Sequence, residues 1–274
     1  MNHESNSENT NGKLLAVTAL SLIGVYITRF FLAVLLYSSF KGAGENYILM
    51  WAVNDIIAYV PWLVILGAAL SRYVPSADFF PAPRFKRGLV FPIFISMYAL
   101  ITAALLISHA IADLFTEMFG TDGLRNVFEN IAPESLSQWL IFLFFAGIVA
   151  PLAEEIIFRH ILLKPLRKLG DRPAIIITAV LFGVFHGNLT QFLYAAVAGV
   201  ILGITAVKAN SVKPAILLHM LNNSFDIGKS YLFELTRQGL IPVSEPTLNI
   251  SVLLLFLAGI ITAIVLTIKG EFTV

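Results

Sequence analysis

Two glutamates and an arginine interrupt a long apolar stretch of the chain. Residues 139–153 have the composition of an ordinary membrane span, but Glu154 and Glu155 follow directly, and Arg159 comes four residues after Glu155. A charged side chain near the centre of a bilayer costs about 2.5–3.5 kcal/mol on insertion scales, so such residues are rare and usually functional. The segment therefore indicates chemistry that takes place inside a membrane.

The spacing of the three charged residues predicts that they have different roles. Glu155 and Arg159 are four residues apart, so they share one helix face, with the acid on the N-terminal side that favours an ion pair. Glu154 lies about 100° away around the helix and is not the natural partner of Arg159. We therefore predict that Glu154 reacts and that the other two support it. The alternative is that all three extend toward the cytoplasmic interface, close to Lys164.

Two later apolar segments carry polar groups that could join Glu154. His186 lies in the segment that ends at Gly187, while His219 and Asn223 share one face of the segment that follows Pro214. Each could instead be a simple hydrogen bond between helices, worth about 0.6–2 kcal/mol. A carboxylate and an imidazole can deprotonate water, directly or through a metal, and an imidazole and an amide can stabilise an oxyanion. Together these groups predict a hydrolytic site.

Several common hydrolase chemistries are excluded by the sequence. The chain has no His-Glu-x-x-His motif and no Gly-x-Ser-x-Gly motif, so neither the usual zinc-protease helix nor a serine nucleophile elbow is present. It also contains no cysteine. Thiolate catalysis, disulfides and cysteine-ligated zinc are therefore excluded as well.

The composition predicts a membrane protein. Of the 274 residues, 58% are hydrophobic and only 13% are charged, whereas soluble domains carry about 25% charged residues. The apolar runs predict an all-α, polytopic membrane helix bundle with about eight transmembrane helices. The predicted spans are residues 14–38, 47–70, 88–112, 139–163, 173–187, 191–207, 214–232 and 248–268.

The remaining segments define the domain boundaries and the orientation. Residues 1–13 are predicted to be a disordered cytoplasmic tail, and residues 14–274 a single membrane domain with a catalytic core at about 137–230. Residues 113–138 are predicted to form a short amphipathic helix. Most loop cations fall on one side if both termini are cytoplasmic. The predicted outer loops contain only Lys41, Arg125, Lys229 and Arg237. Arg29 and Asp55, in the first two spans, are expected to form an ion pair.

Three motifs, taken in order, resemble one protein family. They are Glu-Glu-x-x-x-Arg (Glu154, Glu155, Arg159), Phe-x-x-x-His (Phe182, His186) and His-x-x-x-Asn (His219, Asn223). This set resembles the CPBP family of intramembrane proteases, also called the Abi or type II CAAX prenyl endopeptidase family. The resemblance covers roughly residues 137–230.

The resemblance implies an eight-helix membrane protease whose site lies inside the bundle and opens toward the cytoplasm. By analogy with the family, Glu154 activates the attacking water and His186 helps to hold it. Glu155 and Arg159 orient the site, and His219 and Asn223 form the oxyanion pocket. These six residues are the predicted catalytic set.

The resemblance leaves the cofactor open. The family is often described as metalloproteases, with zinc as the usual suggestion. Metal ligation would use Glu154, His186 and His219. A metal-free, glutamate-dependent mechanism is equally compatible with these residues.

The resemblance implies a peptide or lipidated-protein substrate within the lipid bilayer, and no feature indicates nucleic acid. Bacterial relatives are linked to bacteriocin processing or self-immunity, and the small size and simple loops here suggest a bacterial plasma membrane. One alternative is a non-catalytic scaffold or immunity membrane protein that retains the protease shell. Another is a proton-coupled transporter, although the sequence shows no inverted repeat.

Overall fold

A computed structural model describes residues 2–39, 46–73, 82–84, 86–120 and 133–272. Within these ranges the chain forms helices and no strands, which confirms the predicted all-α fold class. The helices of the described residues are α1 (Asn2–Ser39), α2 (Tyr47–Tyr73), α3 (Arg87–Phe119), α4 (Leu136–Leu169), α5 (Asp171–Phe185), α6 (Leu189–Ala209), α7 (Lys213–Arg237) and α8 (Glu245–Ile268).

Six of these helices, all except α5 and α7, are long and apolar enough to cross a membrane. Large apolar side chains on their outer faces are exposed, such as Phe30, Phe91 and Ile268. A continuous apolar exterior of this kind suits contact with lipid. The chain is therefore a polytopic helical membrane protein. Each predicted span coincides with a helix, but α5 has only 15 residues and α7 is richer in polar residues, so a count of eight spans stays a prediction.

The N-terminal segment and residues 113–138 differ from the sequence predictions or lie partly outside the described residues. Helix α1 begins at Asn2, where the sequence predicts a disordered tail. A helix that has already formed gains one backbone hydrogen bond for each residue it adds, and no proline stops it here. Residues 113–119 of the predicted amphipathic helix belong to the end of α3. Its residues 121–132, including Arg125, lie outside the described residues, as does Lys41.

The turn between α5 and α6 sets the position of His186. Asn188 caps α6, because its side-chain oxygen accepts a hydrogen bond from the backbone N–H of Gln191 at 2.8 Å. Gly187 has a φ of 74°, a left-handed conformation that glycine adopts readily. His186 therefore lies at the C-terminal end of α5, next to a tight reversal of the chain.

Close packing between α5 and α6 holds the two helices that the turn connects in a fixed position relative to each other. A Cβ atom on Gly199 would lie 2.8 Å from the Cα atom of Ala179, so the two backbones touch with no room for a side chain. Helix α6 also packs on α3 and α7, and α7 packs on α4. The aromatic rings of Trp62, Phe158 and Phe182 are buried among these helices.

We predict that Gly199→Ala destabilises the protein. Because the added methyl group meets backbone atoms, the helices must separate, and overpacking of this kind costs about 1–3 kcal/mol. Thermal unfolding in detergent should show a lower Tm. The matched control is Gly228→Ala in α7, where a Cβ atom would meet nothing within 4 Å, so its Tm should stay the same or rise. Equal Tm values for the two variants would contradict the close packing.

Candidate active site

Helix α4 is irregular on both sides of the two glutamates. Ala150–Glu155 is α-helical, but π-helical turns precede it at Phe145–Val149 and follow it at Ile156–Leu163. Such turns are frequently found at functional sites. Pro151 has no N–H to donate to the carbonyl groups one turn earlier. Helix α4 therefore presents backbone oxygens that need hydrogen-bond donors from elsewhere.

Helix α7 supplies those donors. Asn223 Nδ2 donates to the carbonyl oxygen of Ala146 at 3.0 Å, and Ser224 Oγ lies 3.5 Å from the carbonyl oxygen of Gly147. The helices approach closely here, because a Cβ atom on Gly147 would be 3.0 Å from Ser224 Oγ. These contacts fix the register of α7 against α4.

That register places His219 between the two glutamates. Its Nδ1 atom lies 3.0 Å from Glu155 Oε1, and its Nε2 atom lies 3.6 Å from Glu154 Oε2. On its other side, Glu155 Oε2 lies 3.1 Å from Arg159 Nε. The exposed fractions are 5% for Glu154, 0% for Glu155, 2% for Arg159 and 6% for His219. The four side chains form one buried chain of charged and polar groups.

Arg159 is held inside the protein and does not extend to an interface, so the sequence alternative of three extended side chains is wrong. Its guanidinium carbon lies 5.2 Å from the centre of the Phe182 ring, within the range of a cation–π contact. Within the described residues its nitrogens make no aligned hydrogen bond, so the contact with Glu155 is an ion pair. Glu155 and Phe182 together compensate its charge.

The backbone determines which nitrogen of His186 carries a proton. His186 Nδ1 lies 2.8 Å from the carbonyl oxygen of Phe182. A carbonyl can only accept, so Nδ1 donates, and in the neutral ring Nε2 keeps its lone pair. The Phe182 ring centre is 5.0 Å from that of His186 and 5.7 Å from that of His219. The Phe-x-x-x-His motif therefore provides both an acceptor for His186 and a ring between the two histidines.

Tyr59 of α2 also belongs to the site, although it was not among the predicted site residues. Its hydroxyl donates to Glu154 Oε1 at 2.9 Å, and both side chains are buried. Glu154 therefore has a neighbour at each oxygen, since Oε1 accepts from Tyr59 and Oε2 faces His219. The only signal in the sequence was a hydroxyl group within an apolar span.

A cavity of about 720 Å³ opens beside these residues. Its walls come from α1 to α7 and are mostly apolar. The predicted site residues that line it are Glu154, His186, His219 and Asn223. Glu155 and Arg159 do not line the cavity, and their supporting role stays a prediction.

The expected ion pair between Arg29 and Asp55 is not formed. Both residues line the cavity, but no ion pair joins them in the described structure. The Arg29 guanidinium carbon instead lies 5.1 Å from the centre of the Phe185 ring and 5.7 Å from that of Tyr26. Arg29 therefore lies over aromatic faces on α1 and α5 and makes no ion pair with Asp55.

The predicted zinc ligands are Glu154, His186 and His219. Among the residues that the structure describes, no three histidine, aspartate or glutamate side chains are gathered to hold a metal ion. The Nδ1 atoms of His186 and His219 are engaged by Phe182 and Glu155, so the Nε2 atoms are the ring nitrogens left to bind a ligand. Zinc binding by Glu154, His186 and His219 therefore stays a prediction.

The fold and the site define a class: a polytopic helical membrane protein with a buried carboxylate and two histidines beside an internal cavity. A family model described as type II CAAX prenyl endopeptidase Rce1-like matches residues 136–225. This segment carries all three motifs, and the match supports the resemblance to the CPBP family there. This is a family of CAAX-type intramembrane proteases. Comparisons with curated protein sequences and with solved structures found no match.

We predict a strong coupling between Glu155 and Arg159 in stability. Glu155→Gln keeps an oxygen that accepts from His219 but leaves Arg159 as an uncompensated buried cation. Arg159→Met removes that cation and leaves the Glu155 carboxylate without its counter-ion. Breaking a buried pair from one side costs about 3–5 kcal/mol. The double variant should be more stable than the sum of the two losses predicts, because neither charge is then left alone. Unfolding in detergent tests this, and simple additivity would contradict the ion pair.

Proposed function

We propose that the chain is an intramembrane endopeptidase in which Glu154 activates the attacking water. The observation that supports this most strongly is the position of Glu154 in the cavity wall. Its Oε1 atom is held by Tyr59, and its Oε2 atom lies 3.6 Å from His219 Nε2. A carboxylate held in this way can accept a proton from water at a fixed position. The family of the matched segment agrees with this activity.

The reaction has two steps. In the first, the water oxygen bonds to the carbonyl carbon of the scissile peptide while Glu154 takes one proton, and the carbonyl oxygen becomes an oxyanion. His186 Nε2 accepts a hydrogen bond from the same water and orients it. In the second step the carbon–nitrogen bond breaks, and the proton held by Glu154 passes to the leaving nitrogen. The products are a new carboxyl terminus and a new amine.

Donors from α7 stabilise the oxyanion in this mechanism. Asn223 uses one amide hydrogen on Ala146, so its second hydrogen is available for the substrate. His219 donates through Nε2 when both ring nitrogens carry protons, while Glu155 holds its Nδ1 side. Donors placed where negative charge develops are usually the largest contribution to such reactions. Glu155 and Arg159 keep His219 in place.

We further propose that the substrate is a membrane-associated peptide or lipidated protein. The cavity is mostly apolar, and its walls are helices that face lipid on their other side, so an apolar chain can enter with little cost. The basic segments 84–87 and 164–172 lie on the predicted inner side, which supports cytoplasmic termini. We also propose that the protein resides in a bacterial plasma membrane and acts in bacteriocin processing or self-immunity.

We predict that Glu154→Gln strongly slows cleavage. The purified protein in detergent is mixed with a peptide library, and mass spectrometry identifies the products. Because an amide cannot accept the proton from water, the rate should fall about 10²- to 10⁴-fold. His186→Ala should lower it in the same range. Circular dichroism should show an unchanged helical content in both variants.

The matched control is Glu245→Gln, which makes the same chemical change at an exposed glutamate of α8. This variant should cleave at the wild-type rate. Full turnover by Glu154→Gln and His186→Ala would disprove the proposal. A cellular phenotype that Glu154→Ala fully restores would favour the non-catalytic scaffold instead.

We propose a metal-free reaction, because no cluster of three metal ligands is gathered among the described residues, and metal removal tests this proposal. After dialysis against a strong chelator, the cleavage rate should be unchanged, and added zinc should not raise it. Metal analysis of the purified protein is the parallel measurement. A loss of activity on dialysis that zinc restores would contradict the metal-free mechanism while leaving the peptidase assignment intact.

A further inference from the structure

We infer that Tyr59 is a positioning residue of the active site, which holds the Glu154 carboxylate in its reactive orientation. This inference rests on the proposed peptidase function. Its basis is the hydrogen bond of 2.9 Å from the Tyr59 hydroxyl to Glu154 Oε1, which joins residues 95 positions apart in the chain. No other hydrogen bond to Glu154 is found in the described part of the chain.

Aromatic packing determines where the Tyr59 hydroxyl points. The ring is stacked on that of Phe185, with ring centres 5.8 Å apart and planes inclined by 24°. The Phe185 ring is itself held edge-on by Trp62 and Phe158, at 5.3 and 5.6 Å. Tyr59 is only 9% exposed. A ring packed in this way has little rotational freedom, so its hydroxyl is a fixed donor.

The hydrogen bond makes the two oxygens of Glu154 different. Oε1 is occupied by Tyr59, whereas Oε2 faces His219 and the cavity. Without the hydroxyl, the carboxylate could rotate about its last torsion, which has a broad energy minimum. Either oxygen could then turn away from the water. Small errors in the orientation of a catalytic group are known to lower rates strongly.

The position of Tyr59 in the chain makes this inference independent of the family motifs. Helix α2 lies outside residues 136–225, the segment that matches the family. Pro61 follows Tyr59 by two residues and is succeeded by a π-helical turn at Trp62–Leu66. The irregular turn of α2 thus begins three residues after Tyr59, as the irregular turns of α4 flank Glu154.

Kinetics of Tyr59→Phe in the full-length protein test the inference. A hydrogen bond to a charged group that is lost in this way should lower kcat roughly 10- to 100-fold. KM should change less than about threefold, because Tyr59 acts through Glu154 and not through the substrate. The matched control is Tyr231→Phe, which removes a hydroxyl from a ring that packs on Trp139 and does not line the cavity.

A second measurement does not depend on catalysis. A hydrophobic carbodiimide modifies carboxyl groups within membranes, and peptide mass spectrometry measures its rate at Glu154. Because Tyr59→Phe releases Oε1, labelling of Glu154 should become several-fold faster. Tyr231→Phe should label at the wild-type rate.

The outcomes separate this inference from the proposed function. A kcat for Tyr59→Phe equal to that of Tyr231→Phe would overturn the positioning role, and so would a raised KM with unchanged kcat, which indicates a substrate contact or packing. Equal labelling rates would overturn the hydrogen bond itself. If the wild type cleaves no peptide although Tyr59→Phe accelerates labelling, the peptidase proposal fails and the contact between Tyr59 and Glu154 stands.

Discussion

The structure depends on how buried charge is compensated inside an apolar bundle. Glu155 is fully buried and contacts two groups at once, Arg159 on its own helix and His219 on α7. An isolated ion in such surroundings is very costly, and a pair is tolerated only when its geometry is good. Glu155 therefore requires α7 to lie where it does. Because His219 is part of α7, this requirement also places the His219 ring next to Glu154.

The irregular turns of α4 make this arrangement possible. A regular helix satisfies its own carbonyl groups and offers a neighbour only side chains. Around Pro151 the carbonyl oxygens of Ala146 and Gly147 are instead approached by Asn223 and Ser224. Backbone polar groups in lipid must be satisfied within the protein, so the contact binds α7 to α4 and at the same time aligns their functional residues. Structural and functional requirements are met by the same polar contacts.

Much of this site could be predicted from residue spacing. The four-residue spacings of Glu155 with Arg159 and of His219 with Asn223 correctly identified shared helix faces, because helix periodicity is a local property. Contacts between helices were harder to foresee. The hydrogen bond from Tyr59 and the placement of Arg29 over Phe185 depend on the relative rotation of separate helices. Periodicity also assumes regular helices, so it could not predict the π-helical turns that flank the glutamates.

The central claim is that α7 lies against α4 in the register that places His219 between Glu154 and Glu155. The chain contains no cysteine, so disulfide cross-linking in native membranes measures this register directly. Gly147→Cys combined with Ser224→Cys should form a disulfide on mild oxidation, because a Cβ atom on Gly147 would lie 3.0 Å from Ser224 Oγ and disulfides need Cβ atoms about 3.5–4.5 Å apart. Either cysteine alone should give none. If the pair stays reduced while Gly147→Cys cross-links instead to a cysteine one helical turn away on α7, the register and the site built on it are wrong.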